Sequence, residues 1–219
     1  NTYNMYCHRE PRFYITVSYN NSYFTQEKRE FNFFNGSADN PHTHDAPQNG
    51  YLNRSRVSLD YIPRDNNHPY RPAIIFRMAE AYLSYAEALN ESSERMSHKQ
   101  EILDNLNKIR HRAGIAEYGT GTDENGFTRI KINFSDQKEV RRLIHKERRV
   151  EFVGEGVRYH DLRRWKTAHY GIGNLNEQGE NPDWGVNGPD YGMNYYGTEY
   201  TDQGDNAFFK RTKYMDRVY

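Results

Sequence analysis

Two stretches decide the fold: RPAIIFRMAEAYLSYAEALNE over Arg71–Glu91 and KERRVEFVGEGVRYHDLRRWK over Lys146–Lys166. In the first, Ile75, Met78, Ala79, Tyr82, Tyr85, Ala86 and Leu89 recur at three- and four-residue spacing. That period predicts one apolar stripe on a helix opening at Pro72, a residue the first helical turn tolerates. Ala79, Ala81, Ala86 and Ala88 interrupt the larger side chains and let a second backbone approach closely. A second stripe, Ile102, Leu106, Ile109 and Ala113, closes at Gly114, suited to the left-handed cap that ends helices. The short connection 92–97 predicts that these two helices pack antiparallel. The pair resembles a tetratricopeptide-type hairpin, and an ordinary amphipathic hairpin meets the same pattern.

A third helix is expected from an N-cap at Ser135, with Val140, Leu143, Ile144, Val150 and Val153 on one side. Glu147 falls within that apolar face, where a carboxylate is costly unless an opposite charge accompanies it. Arg148, Arg149, Arg158, Arg163 and Arg164 supply that charge, so Glu147 or Glu151 is expected to pair with a buried arginine. Gly154–Gly156 should break the helix, and Val157–Trp165 should restart it at a new angle, returning Arg158 and Asp161 toward the acids. Two such carboxylates could serve glycoside hydrolysis. Surrounding guanidinium groups would strip the proton a general acid must hold, so Glu147, Glu151, Arg158, Asp161 and Arg164 are read as a structural salt network.

Outward from this core, residues 1–70 carry short alternating patches, RFYITVSY at Arg12–Tyr19 and YLNRSRVSLDY at Tyr51–Tyr61, which predict short strands among loops. Residues 167–219 read as a long aromatic loop and tail. All 219 residues are expected to form one mainly α domain with long loops and a few short strands. Aromatic content of 15% and a formal charge of zero, from 30 basic and 30 acidic residues, exclude a disordered chain. The same balance, without a basic tract, argues against nucleic acid. Cys7 is the single cysteine and indicates no compartment. No run approaches the ~18 apolar residues of a membrane helix.

The strings FRMAEAYLSYAEALNE, LDNLNKIRHRAG and RRLIHKERRVEFVGEGVRYHDLRRWK, in this order and spacing, resemble the C-terminal half of the SusD/RagB family of outer-membrane nutrient-binding lipoproteins. The resemblance rests on Arg77, Ala79 and Glu80; Tyr85, Ala86, Glu87 and Ala88; and Asn107, Arg110, Arg112, Ala113 and Gly114. It continues through Glu147, Arg148, Arg149, Glu151, Gly156, Arg158, Asp161, Leu162, Arg164 and Trp165. Pro11, Arg12 and Phe13 resemble the family's entry into an extended segment, with Glu10 in place of Asp. The family's proteins are longer, so a C-terminal portion is expected here, with the signal and lipidated cysteine lying outside it.

This resemblance implies a protein without catalytic activity or cofactor that binds oligosaccharides at the outer surface of the outer membrane and caps a TonB-dependent barrel transporter. Peptide nutrients are the alternative ligand for such a subunit, and a helical-repeat interaction scaffold is the alternative role. Sugar recognition combines an aromatic platform with hydrogen-bonding groups around it. Trp184, Tyr191, Tyr195 and Tyr196 among Asp190 and Asn194 have that composition, and they equally suit internal packing of a long loop. Tyr19 and Tyr23, beside Asn20 and Asn21, form a second candidate platform. For metals, His42, His44 and Asp45 are one weak hint. Asp123, Glu124 and Asn125 before Gly126 resemble half a calcium loop that lacks its closing glutamate.

Overall fold

A computed structural model describes residues 6–33, 37–39, 50–62, 65–70 and 73–165, together with the backbone of 191–195 and 209–213. It is mainly helical, with short strand pairs and no closed sheet among the described residues. Two compact units are present. One comprises Asn1–Arg9, Phe13–Pro72 and Pro189–Val218; the other comprises Glu10–Arg12, Ala73–Gly188 and Tyr219.

The second unit is the helical one. Helix α2 (Met78–Glu91) packs against α3 (Lys99–Arg112) and α4 (Gln137–Glu151), and α5 (Val157–Trp165) follows the Gly154–Gly156 interruption. Both glycines have positive φ, 78° and 80°, so the break lies where glycine alone is unstrained. The core joins Ala79, Leu83 and Ala86 of α2, Ile102, Leu106 and Ile109 of α3, and Val140 and Ile144 of α4, with Tyr118 and Phe152. Burying each Leu or Ile here contributes about 1.5–3 kcal/mol. Helix α3 keeps the expected stripe, and Gly114 ends it at φ 65°.

Two boundaries differ from expectation. Helix α2 begins at Met78, not near Pro72; Ala73–Phe76 are exposed, and Arg77 is extended at φ −144°, ψ 156°. The β-branched pair Ile74–Ile75 disfavours a helical turn, and the Arg77 side chain is engaged elsewhere, as described below. Ile75, placed on the core stripe by its spacing, is 94% exposed, and Tyr85 is 47% exposed. Helix α4 is capped by Asp136, not Ser135: the Asp136 carboxylate accepts hydrogen bonds from the Lys138 and Glu139 N–H groups at 2.9 and 3.2 Å. Asp is an equal or better cap.

The stretch RFYITVSY is not a strand throughout. Pro11–Thr16 form the short helix α1, with Pro11 at the position that needs no N–H, and the strand β1 is only Val17–Ser18. It pairs antiparallel with β4 (Leu52–Asn53), and β2 (Tyr23–Phe24) pairs with β3 (Arg29–Glu30). Phe24 stacks on Phe31 at 4.5 Å, and Phe31 on Phe33 at 5.2 Å. Buried Asn20 fixes this hairpin by accepting the Phe33 N–H at 2.7 Å. The stretch read as one long C-terminal loop contains an antiparallel pair, β5 (Tyr191–Tyr195) with β6 (Phe209–Lys213), in the register Tyr191↔Lys213 to Tyr195↔Phe209. Alternation of Tyr191, Met193 and Tyr195 with smaller or polar neighbours is a strand period that the Gly and Asn content obscured.

Candidate functional site

The most heavily charged part of the helical unit is buried. Glu147, 3% exposed, accepts hydrogen bonds from Arg110, from Arg12 at 3.2 Å and from the Tyr118 hydroxyl at 3.4 Å. One turn on, Glu151 pairs with Arg112, with Arg12 at 3.2 Å and with Arg77 at 2.5 Å. Arg77 also grips Glu155 through two nitrogens, at 2.9 and 2.7 Å, while its guanidinium lies 4.6 Å over the Phe152 ring. This anchoring holds the chain extended before α2. Burial alone would raise the Glu151 carboxyl, but Arg112 and Arg77 outweigh it and hold its pKa below the ordinary glutamate value. A group held ionised in this way is a poor proton donor.

A second cluster fastens α5. Arg148 makes a fork-to-fork pair with Asp161, both bonds 2.9 Å, and its remaining nitrogen donates to the Ser84 hydroxyl at 3.0 Å. Arg164 grips Glu87 at 2.5 and 2.6 Å and donates to Asp161 at 2.9 Å. Trp165 donates its indole N–H to Glu87 at 2.7 Å and stacks on the buried His145 ring at 3.4 Å. Arg158 is half-buried on the same helix. Paired bidentate bonds of this kind fix geometry as well as charge.

Of the sugar-platform candidates, Trp184, Asp190 and Tyr196 lie outside the described residues, and Tyr191, Asn194 and Tyr195 lie on β5. Tyr19 is half-buried in an aromatic cluster, 4.3 Å from the Tyr6 ring and 5.4 Å from the Phe13 ring. Tyr23 is 55% exposed on β2. The metal hint at His42, His44 and Asp45 lies outside the described residues. The Asp123 carboxylate accepts hydrogen bonds from the backbone N–H groups of Glu117, Asn125 and Phe127 at 2.8–3.1 Å, an arrangement that fixes the turn of 117–127. Those bonds outweigh burial and lower its pKa. Among the described residues no group of three metal-ligating side chains occurs, and no helix is long and apolar enough to cross a membrane.

Sequence reasoning missed a groove of about 880 Å³ along the polar face of α3, closed on its other side by residues 117–134. Its lining includes the apolar Tyr82, Leu103, Ile132 and Phe134 and the polar Lys108, Thr120, Glu124 and Lys131. The available signal was the spacing Gln100, Asp104, Lys108, His111 on one face of α3, ordinarily a solvated helix face. A smaller cavity of about 320 Å³ in the first unit is lined mainly by Phe24, Phe31, Leu52, Val57 and Leu59.

Comparison with known proteins identifies this architecture. SusD-like protein P25 of Formosa agariphila is 32% identical over 109 residues, covering 50% of this chain and 18% of P25. SusD-like protein P38 of the same organism is 32% identical over 103 residues, covering 47% of this chain and 19% of P38. A crystallised SusD-like protein from Bacteroides fragilis superposes over 100% of this chain and 35% of its own, with a TM-score of 0.66 and 26% identity. The chain thus matches about a fifth of the length of these curated relatives and about a third of the solved one. The signature of the SusD family matches residues 1–218, and the chain belongs to that family.

Proposed function

We propose that this protein binds oligosaccharides at the outer face of the outer membrane, without catalysing their breakdown, and delivers them to a TonB-dependent barrel transporter. In this reading it is held at the surface through an N-terminal lipid anchor and uses no cofactor. The observation that carries the reading is membership of the SusD family along 1–218. It is supported by the geometry of the acidic residues: Glu147, Glu151 and Asp161 are each held by two or more guanidinium groups, an arrangement that suits a scaffold. The aromatic and amide-rich stretch with Trp184, Tyr191, Tyr195 and Tyr196 beside Asp190 and Asn194 is the glycan platform in this proposal, with Tyr19 and Tyr23 as further contacts. A sugar ring would lay its C–H face on an aromatic side chain while the amides and carboxylates take its hydroxyls.

Titration calorimetry against neutral hexasaccharides and against hexapeptides tests the proposal, with a reducing-end assay run in parallel. The expected result is saturable binding of at least one hexasaccharide, weakened at least tenfold by Trp184→Ala, with no new reducing ends. Binding of hexapeptides alone, or release of reducing ends that is lost in Glu147→Gln, would overturn it.

A further inference from the structure

We infer that the groove beside α3 is a carbohydrate subsite for a neutral sugar chain, sharing no residue with the aromatic stretch at 184–196. The inference rests on the oligosaccharide reading above and assigns to it a second site. Three observations carry it.

The first is size and lining. About 880 Å³ stands near the upper end of the ~300–1,000 Å³ typical of small-molecule clefts, and the apolar lining of Leu103, Ile132 and Phe134 suits the C–H face of a pyranose.

The second is unspent hydrogen-bonding capacity. Among the described residues, the side chains of Thr120, Glu124 and Lys131 have no hydrogen-bond or ion-pair partner. Lys108 has only the face of Tyr82, 4.5 Å beneath its ammonium. Two ammonium donors, a carboxylate acceptor and a hydroxyl that does both match a sugar hydroxyl, which donates and accepts at once. The charges also cancel: Lys108 and Lys131 stand against Asp104 and Glu124, while Arg129 is spent on Glu117 at 2.8 Å. A groove without a dominant sign does not select an anionic ligand.

The third is a wall that is already built. Asn107 and Tyr118 exchange two hydrogen bonds, at 2.9 and 2.8 Å; Gly119 N–H donates to the Ile130 carbonyl at 2.9 Å; and Asp123 ties down three further N–H groups. A wall fixed before binding costs little to order. The same bonds disfavour a peptide occupant. Strand addition needs a row of unpaired backbone groups, and the N–H groups of Gly119, Arg129 and Ile130 are spent within the loop.

The test uses the full chain, the double variant Lys108→Ala/Lys131→Ala, and Thr120→Trp, which fills the groove from an exposed position. Thermal melts of each variant first establish that it is folded. Calorimetry then uses neutral hexasaccharides of an α-1,4-glucan, a β-1,3-glucan and a β-1,4-xylan, and a neutral hexapeptide, with Trp184→Ala alongside. The expected result is at least a tenfold weaker Kd for the bound hexasaccharide in both groove variants, adding to the loss from Trp184→Ala. Groove variants that bind like wild type while Trp184→Ala fails would overturn this inference and leave the oligosaccharide reading standing. Wild-type protein that binds none of the three sugars, or the hexapeptide alone, would overturn both.

Discussion

Replacing Glu147 by glutamine keeps the shape of the side chain and removes its charge from a site that is 3% exposed. The cost falls on Arg110, itself 6% exposed, which loses its carboxylate partner. Stranding one member of a buried pair ordinarily costs about 3–5 kcal/mol. Arg110 retains a 2.6 Å bond to the Ala116 carbonyl and the Tyr118 ring at 4.1 Å, and Arg12 retains Glu10 and Glu151. These place the expected loss at the low end, about 3 kcal/mol. At roughly 2–4 °C per kcal/mol for a chain of this length, the melting midpoint should fall by about 6–12 °C. Urea titration followed by circular dichroism reads the free energy directly. A companion double variant, Glu147→Leu with Arg110→Met, removes both charges and should lose less than Glu147→Gln alone, because no buried ion is left unpaired. A loss under about 1 kcal/mol for Glu147→Gln is what a solvated pair gives, and it would refute the claim that this network is buried and structural.

His145 provides a pH signature: burial, with the Arg164 and Arg141 charges, pushes its pKa from 6.5 down to about 3. Below pH 6.5 the unfolded chain takes up a proton that the folded chain refuses, so stability should decline by up to about 1.4 kcal/mol per pH unit as pH falls. Glu151, whose folded pKa is depressed, adds to that loss only below its ordinary value of 4.5. Urea midpoints at pH 7, 6 and 5 should therefore slope in wild type and flatten in His145→Gln, and equal slopes would contradict the assignment. Asp136→Ala should cost about 1 kcal/mol in the same urea titration by uncapping α4, and Asp136→Ser should recover most of it. Gly114→Ala meets only the Pro11 ring at 3.9 Å, so its expected cost of about 1–2 kcal/mol comes from the positive φ and not from a clash, and Gly114→Asn should cost less.

Helix α3 buries Asn105 and Arg110 beside its apolar stripe, but it was readable because Ile102, Leu106 and Ile109 keep that stripe and its end carries a glycine with no alternative use. The interruption at Gly154–Gly156 was readable for the same reason: two positive φ angles leave few other residues possible. Strand β5 and helix α1 were not, since five- and six-residue elements are decided by neighbours more than by their own period. The groove beside α3 was illegible on different grounds. Its charged residues follow the spacing of any solvated helix face, and only the folding of residues 117–134 against that face makes a concavity of them.

Helix α2 shows most sharply where apolar periodicity stops being informative. Its buried face runs through Ala79, Leu83, Ala86, Glu87 and Asn90, whereas hydropathy favoured Ile75, Tyr82 and Tyr85. Glu87 is a core residue only because distant partners satisfy it, Arg164 and Trp165, while the Asn90 side-chain amide N–H donates to the Gln137 backbone carbonyl at 3.3 Å and the Asn90 backbone carbonyl accepts from the Gln137 side chain at 2.8 Å. A carboxylate without such partners would turn to water and rotate the helix with it. The face that α2 buries is therefore chosen by side chains more than forty residues downstream. The Tyr-Ala-Glu-Ala string and the Asp-Leu-x-Arg-Trp string accordingly make sense as one unit, the first supplying Glu87 and the second the guanidinium and indole that hold it. Removing Arg164 and Trp165 together should loosen α2 as much as α5, which hydrogen exchange at the amides of 83–90 would report.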